Sequence, residues 1–398
     1  MIDAADIAEA RARLRKILVP TPLEASASLS ELAGRTVLLK PEHRQRTGSY
    51  KIRGAYNKLS RLERGGEVVA ASAGNHAQGV ARAARLTGHR ATIFMPATAA
   101  LPKVEATRAD GATVHLEGAV VDEAIALAHS YAKTTGAEFV HPFDDPLIIA
   151  GQGTVGAEIV DEHAGEATVV VPVGGGGLIS GVATAVKAAR SDLRVVGVEA
   201  AGAAAMRASL DRGELVRLDQ VSTIADGIAV KAPSELTLAH VRARVDDVVT
   251  VTDDQISRAM ILLLERCKAV VEPAGAAGLA SVVSGVIPGD GPVVVVLSGG
   301  NVDPILLIRL IEHGLTAAGR FLVLRIVVVD HPGELAHLTE AVARLGLNVL
   351  DVEHHRVGLK LGVDKVAVMM TLETRDQEHR DDAVRSLREA GFDVQPVE

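Results

Sequence analysis

Short apolar runs rich in β-branched residues alternate with alanine-rich helical segments as far as Asn301, and this alternation limits the possible folds more than any other feature. Strands buried on both faces are continuous apolar runs, and helices between them join them in parallel. The order therefore predicts a parallel α/β core. The predicted strands are Thr36–Lys40, Glu67–Ala70, Ala91–Met95, Thr168–Val173, Val195–Glu199 and Val293–Ser298, and the predicted helices include Asn75–Leu86, Asp122–Thr134 and Ile179–Arg190.

After Asn301 the pattern changes to strand, helix, two strands, helix and strand, which is the order of a ferredoxin-like domain. The limit between the two parts is predicted within Gly314–Gly319. Residues 1–318 then form one domain, with a smaller subdomain at about 41–148, and residues 319–398 form another. The predicted elements are the strands Phe321–Val329, Asn348–Val357, Lys365–Thr374 and Phe392–Val397 and the helices Leu335–Leu345 and Glu378–Ala390.

Charge and composition exclude several classes of protein. The formal net charge is −8, whereas a nucleic-acid-binding protein needs a basic face. A single cysteine, Cys267, excludes a disulfide framework and a cluster of thiolate metal ligands. The longest apolar runs are far shorter than the ~20 residues of a membrane-spanning helix, and residues 1–18 lack an apolar signal core. We expect a soluble cytoplasmic protein that binds neither nucleic acid nor membrane.

Lys51 stands at the start of a segment with helical periodicity. Its position places it on the same face as Ile52, Ala55 and Leu59, in the first helical turn. Burial and a helix N-terminus both disfavour the charged ammonium group and lower its pKa. A neutral amine is the form that condenses with an aldehyde cofactor. The alternative is a lysine that only extends along the helix start to reach water.

Two loops have the character of anion-binding sites. The first comprises Ser72, Ala73, Gly74, Asn75 and His76, between a predicted strand and a predicted helix. Backbone N–H groups at such a helix start bind carboxylate or phosphate. In the alternative interpretation, the side chains of Ser72 and Asn75 only cap the helix.

The second loop, Gly174–Gly177, directly follows the strand Thr168–Val173. Four consecutive glycines are conformationally costly, and they are expected where backbone amides approach a phosphate closely. A dinucleotide site is the competing hypothesis, because Glu199 ends the next strand at about the distance of a ribose-binding acid. However, no G-x-G-x-x-G pattern fits Gly174–Gly181, and no phosphate-binding G-x-x-x-x-G-K-[ST] motif occurs.

Taken together and in this order, the motifs SYKIRGA, SAGNHAQG, VGGGGL and LSGGN resemble the threonine/serine dehydratases of the tryptophan-synthase-β-like pyridoxal-phosphate enzymes. The resemblance implies fold type II, with a two-subdomain parallel-sheet core, and pyridoxal 5'-phosphate as cofactor. It also implies a lyase that converts L-threonine to 2-oxobutanoate and ammonia, and L-serine to pyruvate, as a homodimer or homotetramer. Such a reaction is the first step toward isoleucine.

The same resemblance assigns roles to individual residues. Lys51 would form the Schiff base with the cofactor and remove the Cα proton, and Asn75 would bond the ring hydroxyl. Ser298 would face the pyridine nitrogen. The phosphate would be held by Gly174, Gly175, Gly176, Gly177 and Leu178, and the substrate carboxylate by Ser72, Ala73, Gly74, Asn75 and His76.

Serine racemases are similar throughout this region and form the main alternative. Their substrate loop carries a second serine where Ala73 stands here, and they bind a divalent cation after the position of Glu199. Ala205 occupies the place of one of their carboxylates, so a hard-cation site would lack a ligand. Dehydration is therefore favoured and no metal is expected. Threonine synthase, and an amino-acid sensor with an inactive core, are further alternatives.

The C-terminal domain resembles an ACT regulatory domain. Asp330-His331-Pro332-Gly333-Glu334-Leu335 lies between its first strand and helix, as the ACT motif does. The resemblance implies isoleucine or valine as effector. The alternative is a ferredoxin-like module that only mediates dimerisation. The residues predicted to bind the effector are Asp330, Pro332, Gly333, Leu335 and Asn348.

Overall fold

The structure, a computed structural model, describes residues 1–317, 320–355, 362 and 364–397. These residues form two compact units, Met1–Asp303 and Pro304–Glu398. The predicted domain limit between residues 318 and 319 lies outside the described residues and stays a prediction.

Within residues 1–303, all of which are described, ten strands form two sheets. The larger sheet has the order β1-β2-β10-β7-β8-β9 and is parallel except for β1, and the smaller one has the order β5-β4-β3-β6 and is parallel throughout. The strands are β1 (Glu24–Ala25), β2 (Val37–Lys40), β3 (Glu67–Ala71), β4 (Arg90–Met95), β5 (Thr113–Leu116), β6 (Glu138–Phe139), β7 (Thr168–Pro172), β8 (Arg194–Ala200), β9 (Asp247–Val251) and β10 (Val293–Val296).

Four of the six predicted apolar runs form β2, β10, β7 and β8, the interior strands of the larger sheet, where side chains are buried on both faces. Every residue of β7 and β10 is buried. The six strands predicted from these runs are present, whereas β1, β5, β6 and β9 were not predicted. Two of those four have only two residues, which is too short for a periodic signal.

Twelve helices cover these sheets, and several begin at residues whose side chains cap them. Asp3 and Asp6 form a capping box at the first helix, and Asp145 precedes Pro146 at another. The helices are α1 (Ala4–Leu14), α2 (Ala27–Ala33), α3 (Lys51–Leu59), α4 (Asn75–Thr87), α5 (Leu101–Ala109), α6 (Val121–Thr135), α7 (Pro146–Glu162), α8 (Gly177–Ala189), α9 (Ala205–Arg212), α10 (Glu235–Arg244), α11 (Asp253–Cys267) and α12 (Pro273–Val283). No helix among the described residues is long and apolar enough to cross a membrane.

The second unit contains α13 (Pro304–Ala317), β11 (Phe321–Val329), α14 (Glu334–Arg344), β12 (Asn348–His355), β13 (Lys365–Glu373), α15 (Gln377–Glu389) and β14 (Asp393–Pro396). Its described strands form an antiparallel sheet in the order β12-β13-β11-β14. Alternate residues of β11 are buried, together with one face of α14 and α15. Residues 356 and 357, predicted as the end of β12, lie outside the described residues. The predicted fold class, a parallel α/β core followed by a βαββαβ domain, is confirmed.

Candidate active site

The loops that follow β3, β7 and β10 line one cavity of about 1380 Å³ in the first unit. In parallel sheets the carboxyl ends of the strands are the usual place of ligand sites. The structure therefore brings together motifs that lie more than two hundred residues apart in the chain. The cavity lining includes all predicted cofactor and substrate residues: Lys51, Ser72, Ala73, Gly74, Asn75, His76, Gly174, Gly175, Gly176, Gly177, Leu178 and Ser298.

Lys51 is the first residue of α3, as the helical periodicity predicted. Its Nζ donates a hydrogen bond to the backbone oxygen of Pro142 at 3.1 Å and lies 5.3 Å from the centre of the Tyr50 ring. Burial lowers the pKa of the Lys51 amine to about 8, although the nearby Glu272 carboxylate opposes this shift. A lowered pKa increases the neutral, nucleophilic fraction of the amine near neutral pH.

The Ser72–His76 loop leads from the end of β3 into α4. Among the described residues, no side chain caps the N-terminus of α4. The Ser72 hydroxyl instead accepts a hydrogen bond from the Gly74 amide at 3.1 Å. The capping alternative is therefore not supported, and the first turn of α4 retains backbone N–H groups at the cavity. Burial lowers the pKa of His76 to about 3, so its ring is neutral, and Nε2 donates to Val140 O at 2.8 Å.

The glycine loop makes the sharp connection from β7 to α8. Gly176 has φ +89°, in the left-handed region, and immediately precedes the helix. A Cβ atom at Gly175 would lie 2.2 Å from the ring of Phe143, so no side chain fits there. The N-termini of α4 and α8 thus both border the cavity and favour negatively charged groups in it.

Ser298 follows β10 and is buried. Its backbone oxygen accepts a hydrogen bond from the amide of Tyr50 at 3.1 Å, which ties this loop to the residue before Lys51. A hydroxyl group at this wall of the cavity supplies hydrogen bonds without a formal charge.

Glu272 is a site residue that the sequence analysis missed. It is 3% exposed, it lines the cavity, and its carboxylate accepts a hydrogen bond from the Asn75 side chain. Burial raises the pKa of Glu272 to about 7, and the charge of Asp226 adds to this rise. The signal in the sequence was an acid inside the apolar stretch Ala269–Ala280, immediately before the helix-starting Pro273.

Glu199, the acid behind the dinucleotide hypothesis, lies outside the cavity lining. Its carboxylate accepts hydrogen bonds from the amides of Met206 and Arg207, both at 2.8 Å, at the start of α9. Ala205 is the first residue of that helix. Among the described residues no group of three or more His, Cys, Asp or Glu side chains is placed to hold a metal ion. The expectation of no metal stays a prediction.

The predicted effector residues lie at two different ends of the second unit. Gly333, with φ +101°, immediately precedes α14, and Asp330 N donates to Asp364 O at 2.8 Å. Asn348 begins β12 and bonds Glu373, beyond the far end of the 11-residue helix α14. That helix is about 16 Å long. Within one chain the structure therefore does not bring Asn348 to the Asp330–Leu335 loop.

The sequence and the fold of this chain are similar to those of known proteins. The family model of pyridoxal-phosphate-dependent enzymes matches residues 14–299, and that of the ACT domain matches residues 322–392. L-threonine ammonia-lyase of Thermotoga maritima is 46% identical over 400 residues, which cover 100% of both chains. The threonine deaminase of T.th., known from a crystal structure, is 40% identical, with a TM-score of 0.73 over 76% of this chain and 99% of that chain. Maize serine racemase is 35% identical, with a TM-score of 0.74 over 79% and 98%. The chain belongs to the family of pyridoxal-phosphate-dependent enzymes and carries a C-terminal ACT domain, as its motifs predicted.

Proposed function

We propose that this protein is a threonine ammonia-lyase, which converts L-threonine to 2-oxobutanoate and ammonia and L-serine to pyruvate and ammonia. The observation that carries the proposal is the position of the Lys51 amine in one cavity with two helix N-termini. The full-length similarity to an L-threonine ammonia-lyase supports the choice of substrate. The reaction would be the first step toward isoleucine.

The cavity fits pyridoxal phosphate on the evidence of its own residues. The glycine loop has no room for a Cβ atom at Gly175, and its residues line the cavity at the start of α8, where backbone amides suit a phosphate. Lys51 offers an amine of lowered pKa, and Asn75 offers a side-chain donor. When bound, the cofactor withdraws the electrons that remain at the substrate Cα after proton removal.

The remaining steps are assigned to side chains and backbone of this chain. The amides of Ser72–His76 bind the substrate carboxylate at the start of α4, where the helix dipole favours a negative charge. Lys51 is the base that removes the Cα proton, and its lowered pKa suits that role near neutral pH. Loss of the β-hydroxyl as water, followed by hydrolysis, releases the 2-oxo acid and ammonia.

Two alternatives have specific weaknesses. Serine racemase activity would need a second proton donor, and the cavity has the methyl group of Ala73 where racemases that resemble this chain carry a serine. An amino-acid sensor without activity would have no need for a lysine of lowered pKa beside the glycine loop.

We further propose a cytoplasmic homodimer or homotetramer whose second unit binds isoleucine or valine. The N-terminus of α14, preceded by Pro332 and Gly333, offers backbone amides to the effector carboxylate. Because Asn348 lies at the far end of that helix, its predicted contact with the effector would have to come from another subunit.

The test is a direct assay of the purified protein with added pyridoxal phosphate. Formation of 2-oxobutanoate from L-threonine and of pyruvate from L-serine is expected, with D-serine at background. D-serine as the main product would instead establish a racemase. A protein that binds the cofactor but consumes neither amino acid would contradict the proposal.

A further inference from the structure

Asn301, the last residue of the LSGGN motif, makes contacts for which no role has been assigned. Its Nδ2 donates to the backbone oxygen of Thr47 at 2.7 Å and to Oδ1 of Asn75, also at 2.7 Å. A side-chain amide has two N–H donors, and the two short bonds direct them at Thr47 and Asn75, with a longer bond of 3.4 Å to Oε1 of Gln78. One amide therefore joins the turn before Lys51 to the first residue of α4.

The turn that Asn301 contacts has an unusual backbone. Thr47 has φ +65°, a left-handed conformation that residues other than glycine rarely adopt, and Gly48 follows with φ +70°. A Cβ atom at Gly48 would lie 2.3 Å from Oδ1 of Asn301, so the turn packs directly against this side chain. Such a backbone persists only where its surroundings hold it.

The same turn continues directly into Lys51. The amide of Gly300 donates to the oxygen of Gly48 at 2.9 Å, and the amide of Tyr50 donates to the oxygen of Ser298 at 3.1 Å. These bonds pair the LSGGN segment with the residues that precede α3. A displacement of the Thr47 turn would consequently displace the start of the helix that carries the Lys51 amine.

Asn301 also determines which way the Asn75 amide faces. Oδ1 of Asn75 accepts from Asn301, and its Nδ2 donates to the carboxylate of Glu272. If the Asn75 amide rotated by half a turn, its NH2 group would face the NH2 group of Asn301, and its oxygen would face the carboxylate of Glu272. Neither pair could form a hydrogen bond. The second N–H of Asn75 therefore stays available to a group bound in the cavity.

We propose that Asn301 is a positioning residue for the reaction, which holds both Lys51 and the donor face of Asn75 in place. The proposal rests on the proposed function, in which Asn75 bonds the ring oxygen of the cofactor. It assigns Asn301 no contact with substrate or cofactor.

The experiment uses the full-length holoenzyme with four changes: Asn301→Asp, Asn301→Ser, Asn75→Ala and the double change Asn301→Asp with Asn75→Ala. Asn301→Asp replaces both N–H donors by acceptors at nearly the same size. Asn301→Ser retains one donor and is the milder variant if the aspartate variant fails to fold. Asn57→Asp is the matched control, because Asn57 is fully buried in α3, its side chain bonds Leu147 O and Arg13, and it is not part of the cavity lining.

The first measurement is the pH at which the visible absorption band of the bound cofactor changes, which needs no substrate. Loss of the Asn75 donor disfavours the ionised ring oxygen, so Asn75→Ala and Asn301→Asp should each move this pH upward by about one unit, the tenfold effect of one hydrogen bond to a charged oxygen. The double variant should show no more than the shift of Asn75→Ala alone. Asn57→Asp should lower thermal stability and leave the band unchanged.

The second measurement is kcat and KM for L-threonine. Because Asn301 also holds the turn before Lys51, kcat should fall by about 10-fold or more in Asn301→Asp, with a smaller change in KM. Wild-type absorbance and kcat in both Asn301 variants, or a band shift that adds fully to that of Asn75→Ala, would overturn the proposal. A wild-type protein that binds the cofactor but does not dehydrate threonine would contradict the proposed function and leave the absorbance test intact.

Discussion

Nδ2 of Asn75 donates a hydrogen bond to the carboxylate of Glu272, and both side chains line the cavity that contains Lys51. The two residues are 197 positions apart in the chain. Burial raises the pKa of Glu272 to about 7, and burial lowers the pKa of Lys51 to about 8. The cavity therefore holds a carboxyl group, Glu272, and an amine, Lys51, and each of them changes its ionisation near physiological pH.

Glu272→Gln is predicted to flatten the pH dependence of apo-protein stability. The pKa of this carboxyl rises from 4.5 to about 7 on folding, so between these values the folded protein binds more protons than the unfolded chain. The free energy of unfolding then falls as pH rises across that interval, by an amount on the order of 3 kcal/mol, and has no further slope from Glu272 above it. Urea unfolding at several pH values measures this.

Glu199→Gln is the matched control for that variant. Glu199 is also buried, and burial raises its pKa to about 7, but it caps α9 outside the cavity lining. In both variants the free energy of unfolding should depend less on pH in the same interval. Only Glu272→Gln should change the affinity for the cofactor. Equal cofactor affinity in the two variants would show that Glu272 does not act in the cavity.

Lys51→Ala is predicted to lower turnover by at least about 10³-fold, since it removes both the covalent attachment of the cofactor and the base. The fold should survive, with some cofactor held by the glycine loop. Lys58→Ala is the control: Lys58 is a buried lysine of the same helix that pairs with Glu138 and Asp145. Its loss should lower stability and spare the cofactor band. Activity retained in Lys51→Ala would refute the assignment of this lysine.

Gly175→Asp is predicted to weaken cofactor binding by about 100-fold or more. The new Cβ would meet the Phe143 ring at 2.2 Å, and the carboxylate would repel a phosphate at the same loop. Gly291→Asp adds the same group where no atom lies within 4 Å. Titration of both apo-proteins with the cofactor distinguishes an effect of the glycine loop from a general effect of an added aspartate. Wild-type affinity in Gly175→Asp would place the phosphate elsewhere.

Ala73→Ser is predicted to raise racemisation of serine above background while dehydration persists. Racemases that resemble this chain carry a hydroxyl at this position of the substrate loop, and Ala73 lines the cavity. Ala229→Ser places a hydroxyl on another part of the cavity lining and should leave D-serine formation unchanged. Chiral analysis of the products measures the D-serine formed by each variant. Background D-serine in both variants would mean that Ala73 does not separate the two activities.

Gly333→Asp is predicted to abolish the response to isoleucine or valine. It would place a negative charge at the N-terminus of α14, where the effector carboxylate is expected, and a coupling of about 1–3 kcal/mol would be lost. Gly346→Asp is matched, because Gly346 also has positive φ but follows the other end of α14. Threonine saturation with and without each amino acid is the measurement. If neither amino acid changes the threonine saturation of the wild-type protein, the C-terminal domain is better explained as a module that only mediates dimerisation.

The sequence by itself determined the long apolar strands of the core and most of the chemical groups of the site. Strands such as β7 and β10 are apolar throughout, so burial on both faces is encoded locally. The glycine loop and the position of Lys51 at a helix start are likewise local properties, which depend on conformational cost and periodicity. Such local properties mark Lys51 and the two loops as candidates, and the order of the four motifs, through the family resemblance, assigned the roles of the individual residues.

Only the tertiary structure decided which distant groups meet. Hydrophobic patterning encodes how deeply a residue is buried but not what it contacts, so the bonds from Asn75 to Glu272 and to Asn301 could not be predicted. The strand order of the larger sheet, with β10 between β2 and β7, is equally non-local. The same holds for Asn348, which the connection through α14 places at the far end of the sheet from Asp330. These features arise from the packing of whole elements, and no local sequence signal specifies that packing.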